Sequence, residues 1–136
     1  MQVCLRKDQT EAVVNLTVEG RQYEALVDTG FGGLLLAFAY PDSLYNARTF
    51  LNNVRLSAPI RLLPKSQWSV VADARSVPTW TSAVPLHVGK TALVSEMLVI
   101  YADKRQKQDL IMGMRFLRDH MLRLCLDFKH HRFLLA

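Results

Sequence analysis

The sequence predicts a mainly β protein, built as a small closed barrel with one short helix towards its C-terminus. Two patterns indicate this class: many short apolar runs separated by turn residues, and an alternation of apolar and polar residues within several of them. The one convincing helix follows Gly113. Half of the 136 residues are apolar, which is enough for one core, so we expect residues 1–136 to form a single domain.

The first predicted element is a hairpin within "AVVNLTVEGRQYEALVD". Val14, Leu16 and Val18 alternate with polar residues, as in a strand with one buried face. Gly20-Arg21 is the expected turn, and "QYEALV" is the returning strand. This second strand leads directly into Asp28.

The next segments carry further strands and a long irregular region. After two glycines, "LLLAFAY" predicts a strand that ends before Pro41. Within residues 42–83, Pro59 and Pro64 break short extended stretches, and "QWSVVADARSVPTW" is predicted to form two extended arms around "ADARS".

The C-terminal half is more regular. Gly89-Lys90 predicts a turn, and "ALVSEMLVIY" a long strand after it. "LIM" reads as a short strand, Gly113 as a break, and residues 114–120 as the helix. "LRLCLDF" and "RFLLA" are the closing strands.

Composition argues against several other functions. The net charge is +5, but the basic residues are scattered, so no nucleic-acid partner is expected. No zinc-type spacing is present, and adjacent His130 and His131 should point apart, so neither metal nor cofactor is expected. No apolar run approaches membrane-spanning length. Cys4 and Cys125 are too few for a disulfide framework, which favours a reducing, cytoplasmic location.

The stretch "ALVDTGFGG" places Asp28 between an apolar strand and a glycine cluster. A carboxylate there needs hydrogen bonds or solvent. Gly30 permits a tight turn whose amide groups can point at the carboxylate, and a carboxylate held in this way can activate a water molecule. An ordinary Asx turn explains the tripeptide equally well.

Two motifs that lie far apart in the sequence favour the catalytic interpretation. The hairpin ending in Asp-Thr-Gly, together with "LIMGMRFLRDHMLRLCLDF", resembles the retropepsin-like aspartic proteases, and most closely their single-domain microbial members. The resemblance covers about half of the chain, in the family's order and spacing. It implies an acid-protease barrel and an endopeptidase that acts on extended polypeptides without metal or cofactor.

The resemblance also implies a homodimer. The sequence contains Asp-Thr-Gly once, so the pair of aspartates that the family uses requires two chains, with Asp28 of each at a two-fold axis. Thr29 would brace the two loops, and Gly30 would allow their close approach. In retroviral relatives the chain termini interleave at the interface, a role for which "MQVCL" and "RFLLA" are apolar enough. The residues expected at the site are Asp28, Thr29 and Gly30 for catalysis, and Phe31, Gly32, Ala72, Asp73, Ala74, Arg75 and Ser76 for substrate binding.

Two features depart from the family pattern. Phe31-Gly32 stands where many members carry a small hydroxyl or carboxyl residue, and no glycine occupies the expected tip of the substrate-covering hairpin, at 73–76. Phe31, Leu34, Val71 and Val77 are candidates for an apolar pocket. The alternative function is a non-proteolytic peptide-binding or dimerisation module on the same fold.

Overall fold

The computed structural model describes residues 2–4, 12–28, 30–40, 59–71, 74–102, 104, 106–122, 124–127, 129 and 132–135. Thr29, Ala72, Asp73, residues 41–58 and the His130–His131 pair lie outside this description. The described strands are β1 (Gln2–Cys4), β2 (Ala12–Val18), β3 (Arg21–Val27), β4 (Leu35–Ala39), β5 (Arg61–Leu62), β6 (Ser69–Val70), β7 (Ser76–Val77), β8 (Thr79–Val88), β9 (Thr91–Tyr101), β10 (Leu110–Met112), β11 (Leu124–Asp127) and β12 (Arg132–Leu135). The helix α1 spans Met114–Asp119, close to the predicted 114–120.

Six of these strands close a barrel, which confirms the predicted mainly β class. They follow the order β2-β3-β10-β4-β9-β8, and β8 pairs with β2 to complete the circle. Leu16 of β2 and Phe116 of α1 are fully buried in the interior cluster. Among the described residues, no helix is long and apolar enough to cross a membrane.

The first hairpin pairs β2 with β3 in full register, and its alternation buries Val14, Leu16 and Val18 as predicted. Its turn lies one residue earlier than predicted. Glu19 and Gly20 connect the strands with φ values of 50° and 80°, and Arg21 is already part of β3. Positive φ at both positions is the mark of a type I′ turn, whose twist matches that of the strands.

The strand β10 is inserted between β3 and β4. It runs parallel to β3 and antiparallel to β4, so Met112 lies opposite both Val27 and Leu35. The carboxylate of Asp109, one residue before β10, accepts a hydrogen bond of 2.9 Å from the backbone N–H of Glu24. This insertion brings the residues after β10 against the residues after β3.

The terminal strands form a separate three-stranded sheet in the order β1-β12-β11. Both ladders are antiparallel, with Val3 opposite Phe133 and Cys125 opposite Leu134. The two terminal segments that were expected to interleave with a partner therefore pair with each other within one chain.

Candidate active site

Asp28 is the first residue after β3, where the barrel opens to solvent. Its backbone N–H donates to the carbonyl of Met112 at 3.0 Å, which fixes the end of β3 to the end of β10. Its Oδ1 accepts a hydrogen bond of 2.9 Å from the N–H of Gly30. The residue remains partly exposed. The carboxylate is thus oriented by the backbone of its own loop and still accessible to water or substrate.

The loop after Asp28 is fixed by the start of α1. The N–H groups of Gly113, Met114 and Arg115 donate to the carbonyls of Leu34, Phe31 and Gly33 at 2.7, 2.8 and 3.1 Å. The first N–H groups of a helix have no acceptor within the helix, so these carbonyls provide the hydrogen bonds that the helix start lacks. The helix therefore stabilises the loop that carries Asp28.

Two glycines make room for this contact. A Cβ on Gly113 would clash with the carbonyl of Gly33, whose carbon lies 2.8 Å from the ideal Cβ position. A Cβ on Gly33 would lie 2.5 Å from Cζ of Phe31. Gly32, by contrast, is exposed and has no neighbour within 4 Å of its ideal Cβ position. Because neither Gly33 nor Gly113 has a Cβ, the two residues can pack closely and the Phe31 ring can lie over the loop.

A second apolar cluster lies outside the barrel interior. Its partly buried members come from the Asp28 loop, from the segment 71–77 and from two barrel strands. We call this set the flap-side cluster: buried Leu36, Phe38, Tyr40, Ile100 and Ala102, with partly buried Phe31, Val71, Val77, Leu98 and Ile111 packed against them. It contains three of the four expected pocket residues, whereas Leu34 packs in the barrel interior.

The expected substrate-covering hairpin is present as β6 and β7, which we call the flap. Val71 donates its N–H to the carbonyl of Arg75, and Ala74 donates to Val71, both at 2.9 Å. Ala74 has a φ of 62°, in the left-handed region that glycine normally occupies. The turn therefore closes tightly without glycine, and Ala74 and Arg75 are exposed at it. Ser76, expected at the tip, belongs to strand β7.

Sequence reasoning missed the residue at the base of the flap. Thr79, the first residue of β8, is fully buried. Its hydroxyl accepts a hydrogen bond from the N–H of Ser69 at 2.8 Å and donates one to the carbonyl of Val77 at 3.0 Å. It therefore joins both flap strands. The sequence shows only a threonine two residues after the predicted hairpin, and it contains no signal of the burial or of the two hydrogen bonds.

The other sequence candidates are not brought to this site. The described residues contain no group of three or more potential metal ligands. His87 is exposed on β8, and the ring of His120 packs against Phe116 with centroids 4.6 Å apart.

Comparison with solved structures identifies the fold. No family model matches the sequence, and no curated protein matches it. The EIAV protease in complex with the inhibitor HBY-793 aligns over 89% of this chain and 98% of its own, with 15% identity and a TM-score of 0.61. A retropepsin-like aspartic protease from Rickettsia conorii aligns over 99% and 88%, with 11% identity and a TM-score of 0.54.

A third match is the retroviral protease-like domain of Ddi1 from Leishmania major. It aligns over 93% of this chain and 89% of its own, with 18% identity and a TM-score of 0.51. Each alignment includes most of both chains, so the likeness extends over the barrel as a whole. The chain has the retropepsin-like fold that its two motifs predict.

Proposed function

We propose that this protein is an aspartic endopeptidase, active as a homodimer in which two Asp28 carboxylates share one water molecule. The observation that carries the proposal is the placement of Asp28. Its carboxylate is held by the Gly30 N–H, at a partly exposed end of the barrel, in a loop fixed by α1. General base catalysis requires such a rigid and accessible carboxylate.

The chemistry follows from two carboxyl groups at contact distance. They cannot both ionise freely, so one is protonated and the other is charged. The charged Asp28 takes a proton from the water while the water oxygen bonds to the peptide carbonyl carbon. The protonated Asp28 donates its proton to the carbonyl oxygen. The carboxyl group that took the proton from water then gives it to the amide nitrogen, the other carboxylate takes a proton from one hydroxyl of the tetrahedral intermediate, and the C–N bond breaks without a covalent enzyme intermediate.

The flap-side cluster supports an extended substrate with apolar side chains. It joins Val71 and Val77 of the flap region to Phe31 of the Asp28 loop, and all three are only partly buried. Apolar side chains placed there by a substrate would be removed from water on both sides. We therefore expect cleavage next to apolar residues. The substrate-binding roles of Gly32, Ala72, Asp73, Ala74, Arg75 and Ser76 are part of this proposal.

Cleavage of a peptide library by the wild type and by Asp28→Asn tests the proposal. The amide is nearly isosteric but cannot act as the base, so cleavage should disappear while fold and dimer persist. Asp119→Asn, which replaces an exposed aspartate that pairs with Arg115 on α1, is the matched control and should cleave normally. Undiminished cleavage by Asp28→Asn would reject the assignment. Peptide binding without any cleavage by the wild type would favour the binding module.

Mixed dimers test whether the two aspartates form one site. When wild type and Asp28→Asn are mixed equally and exchange subunits, about a quarter of the dimers contain two intact copies in a two-fold assembly. Activity should fall to that fraction if the water is shared, and to one half if each chain works alone.

We also expect the enzyme in the cytoplasm, where its two cysteines would remain reduced, a location that cell fractionation tests.

A further inference from the structure

The connection between β9 and β10 is fixed to the flap-side cluster at two points. Ala102, a buried member of that cluster, donates its N–H to the carbonyl of Ala39 at 2.9 Å. The backbone N–H of Gln106 donates to the Oη of Tyr40 at 3.0 Å, and Tyr40 belongs to the same cluster. We call this connection the β9–β10 loop, of which the structure describes residues 102, 104 and 106–109. The loop therefore lies at the border of the flap-side cluster.

Lys104 stands midway between the two attachment points. An extended chain advances by at most about 3.6 Å per residue, so the Cα of Lys104 lies within about 7 Å of the Cα atoms of both Ala102 and Gln106. The side-chain amide of Gln106 also donates to the carbonyl of Lys104 at 3.0 Å. Lys104 is exposed. An ammonium group is thus attached, in solvent, next to the apolar surface at which we propose that substrate binds.

Two further cations border the same cluster. Lys107 follows Gln106 directly and is exposed. Arg75 is exposed at the flap turn, and its carbonyl accepts the N–H of the cluster member Val71. The described residues of the β9–β10 loop include one carboxylate, that of Asp109, which accepts a hydrogen bond from a backbone N–H of β3. The border of the apolar surface is therefore rich in positive charge.

We propose that the β9–β10 loop, through Lys104 and Lys107, selects substrates that carry an acidic residue several positions from the cut. This inference rests on the proposed peptidase and specifies its substrate class. The preferred substrates are extended polypeptides with an apolar residue at the cut and an aspartate or glutamate flanking it. Complementary charges at the rim of an apolar contact determine mainly which partner binds and how fast.

The length of β4 sets the expected spacing between the cut and the acidic residue. The carbonyl of Met112 binds the Asp28 N–H, and Met112 lies opposite Leu35 at the start of β4. Tyr40 directly follows the end of β4. Five residue steps of about 3.3 Å give roughly 17 Å between Leu35 and Tyr40. An extended substrate covers this distance in about five residues, so the acidic residue is expected about three to five positions from the cut.

Matched peptides test the preference. Each peptide has the same apolar residues at the cut and carries glutamate, glutamine or lysine at one position, moved from about two to six residues away. At low salt, the wild type should cleave the best glutamate peptide with a kcat/KM about threefold above that of its glutamine counterpart, mainly through KM, because exposed ion pairs are weak. Salt on the order of 1 M should remove the difference. Equal cleavage of the three peptides at every position would overturn the proposal.

Charge reversal tests whether the loop causes the preference. Lys104→Glu repels the glutamate peptide and attracts the lysine peptide, so the ratio of their kcat/KM values should fall about tenfold. A ratio between two peptides cancels any general loss of activity. Lys90→Glu is the matched control, because it makes the same change of net charge at the opposite end of the 11-residue strand β9. An equal fall in the Lys90→Glu protein would assign the preference to net charge and reject the loop.

The outcomes separate this inference from the proposed function. A wild type that cleaves all the peptides alike rejects the selective role of the loop and leaves the peptidase in place. A wild type that cleaves none of them, but binds the glutamate peptide through Lys104 in fluorescence anisotropy, rejects the peptidase and retains the loop as a site for acidic peptides. Absence of both cleavage and Lys104-dependent binding rejects both.

Discussion

The hydroxyl of Thr79 lies 2.8 Å from the backbone nitrogen of Ser69 and joins one flap strand to the barrel. The same hydroxyl donates to the carbonyl of Val77 on the other flap strand. A single buried hydroxyl group therefore bonds to both flap strands at the base of the flap.

Thr79→Val should loosen the flap more than it weakens the barrel. Valine preserves the shape but leaves the Ser69 N–H without its acceptor, at a cost of about 1–3 kcal/mol. We expect faster hydrogen exchange at the amides of Ser69 and Val71 and a higher KM for peptides. Thr81→Val is the matched control, because buried Thr81 on the same strand instead donates to Oε1 of Glu96 at 2.6 Å. Equal exchange in the two variants would contradict the assigned role of Thr79.

Gly113→Ala should disrupt the Asp28 loop. The added Cβ clashes with the backbone of Gly33, which cannot move without breaking the bonds between the loop and α1. Overpacking of this kind costs about 1–3 kcal/mol, and here it should also lower kcat. Gly32→Ala adds the same methyl group in open space and should leave the melting temperature unchanged. A stable, active Gly113→Ala protein would be incompatible with this packing.

Ala74→Gly should relax the flap turn. Alanine in the left-handed region costs about 1–2 kcal/mol, whereas glycine adopts it without that penalty but loses more entropy on folding. The net stabilisation should be at most about 1 kcal/mol, seen as slower exchange of the Val71 amide. Ala74→Val should have the opposite effect, since a branched side chain tolerates this conformation poorly. If both variants exchange as the wild type does, the turn is not strained.

Phe31→Ala should change cleavage specificity. Phe31 is a partly buried member of the flap-side cluster, and its removal enlarges the space between flap and Asp28 loop. Peptides with bulkier apolar residues next to the cut should gain in kcat/KM relative to the preferred wild-type peptides. Val94→Ala shortens an exposed apolar side chain near the start of β9 and should leave the cleavage specificity unchanged. An unaltered profile for Phe31→Ala would place substrate elsewhere.

The sequence predicted the strands well, and predicted the contacts between distant segments only in part. The alternation of apolar and polar residues identified the buried face of β2, since every second side chain of a strand points to the same face. The predicted turn after β2 lies one residue too late, because Glu19 adopts a positive φ, which glutamate rarely does. The roles of Gly33 and Gly113 depend on each other across the fold, and local patterns carry no information about such a contact. Thr79 was missed for the same reason.

The Asp28 loop depends on hydrogen bonds to the carbonyl of Met112 and from the N–H groups of Gly113, Met114 and Arg115, about eighty residues further along the chain. During synthesis, Asp28 leaves the ribosome long before these donors and acceptors exist. At about 5–20 residues per second, the delay is roughly 4–16 s. A nascent chain that has emerged only as far as β9 therefore lacks the bonds that fix the Asp28 loop to β10 and α1. The order of emergence therefore delays the fixing of this loop, and with it the proposed peptidase activity, until β10 and α1 have been made.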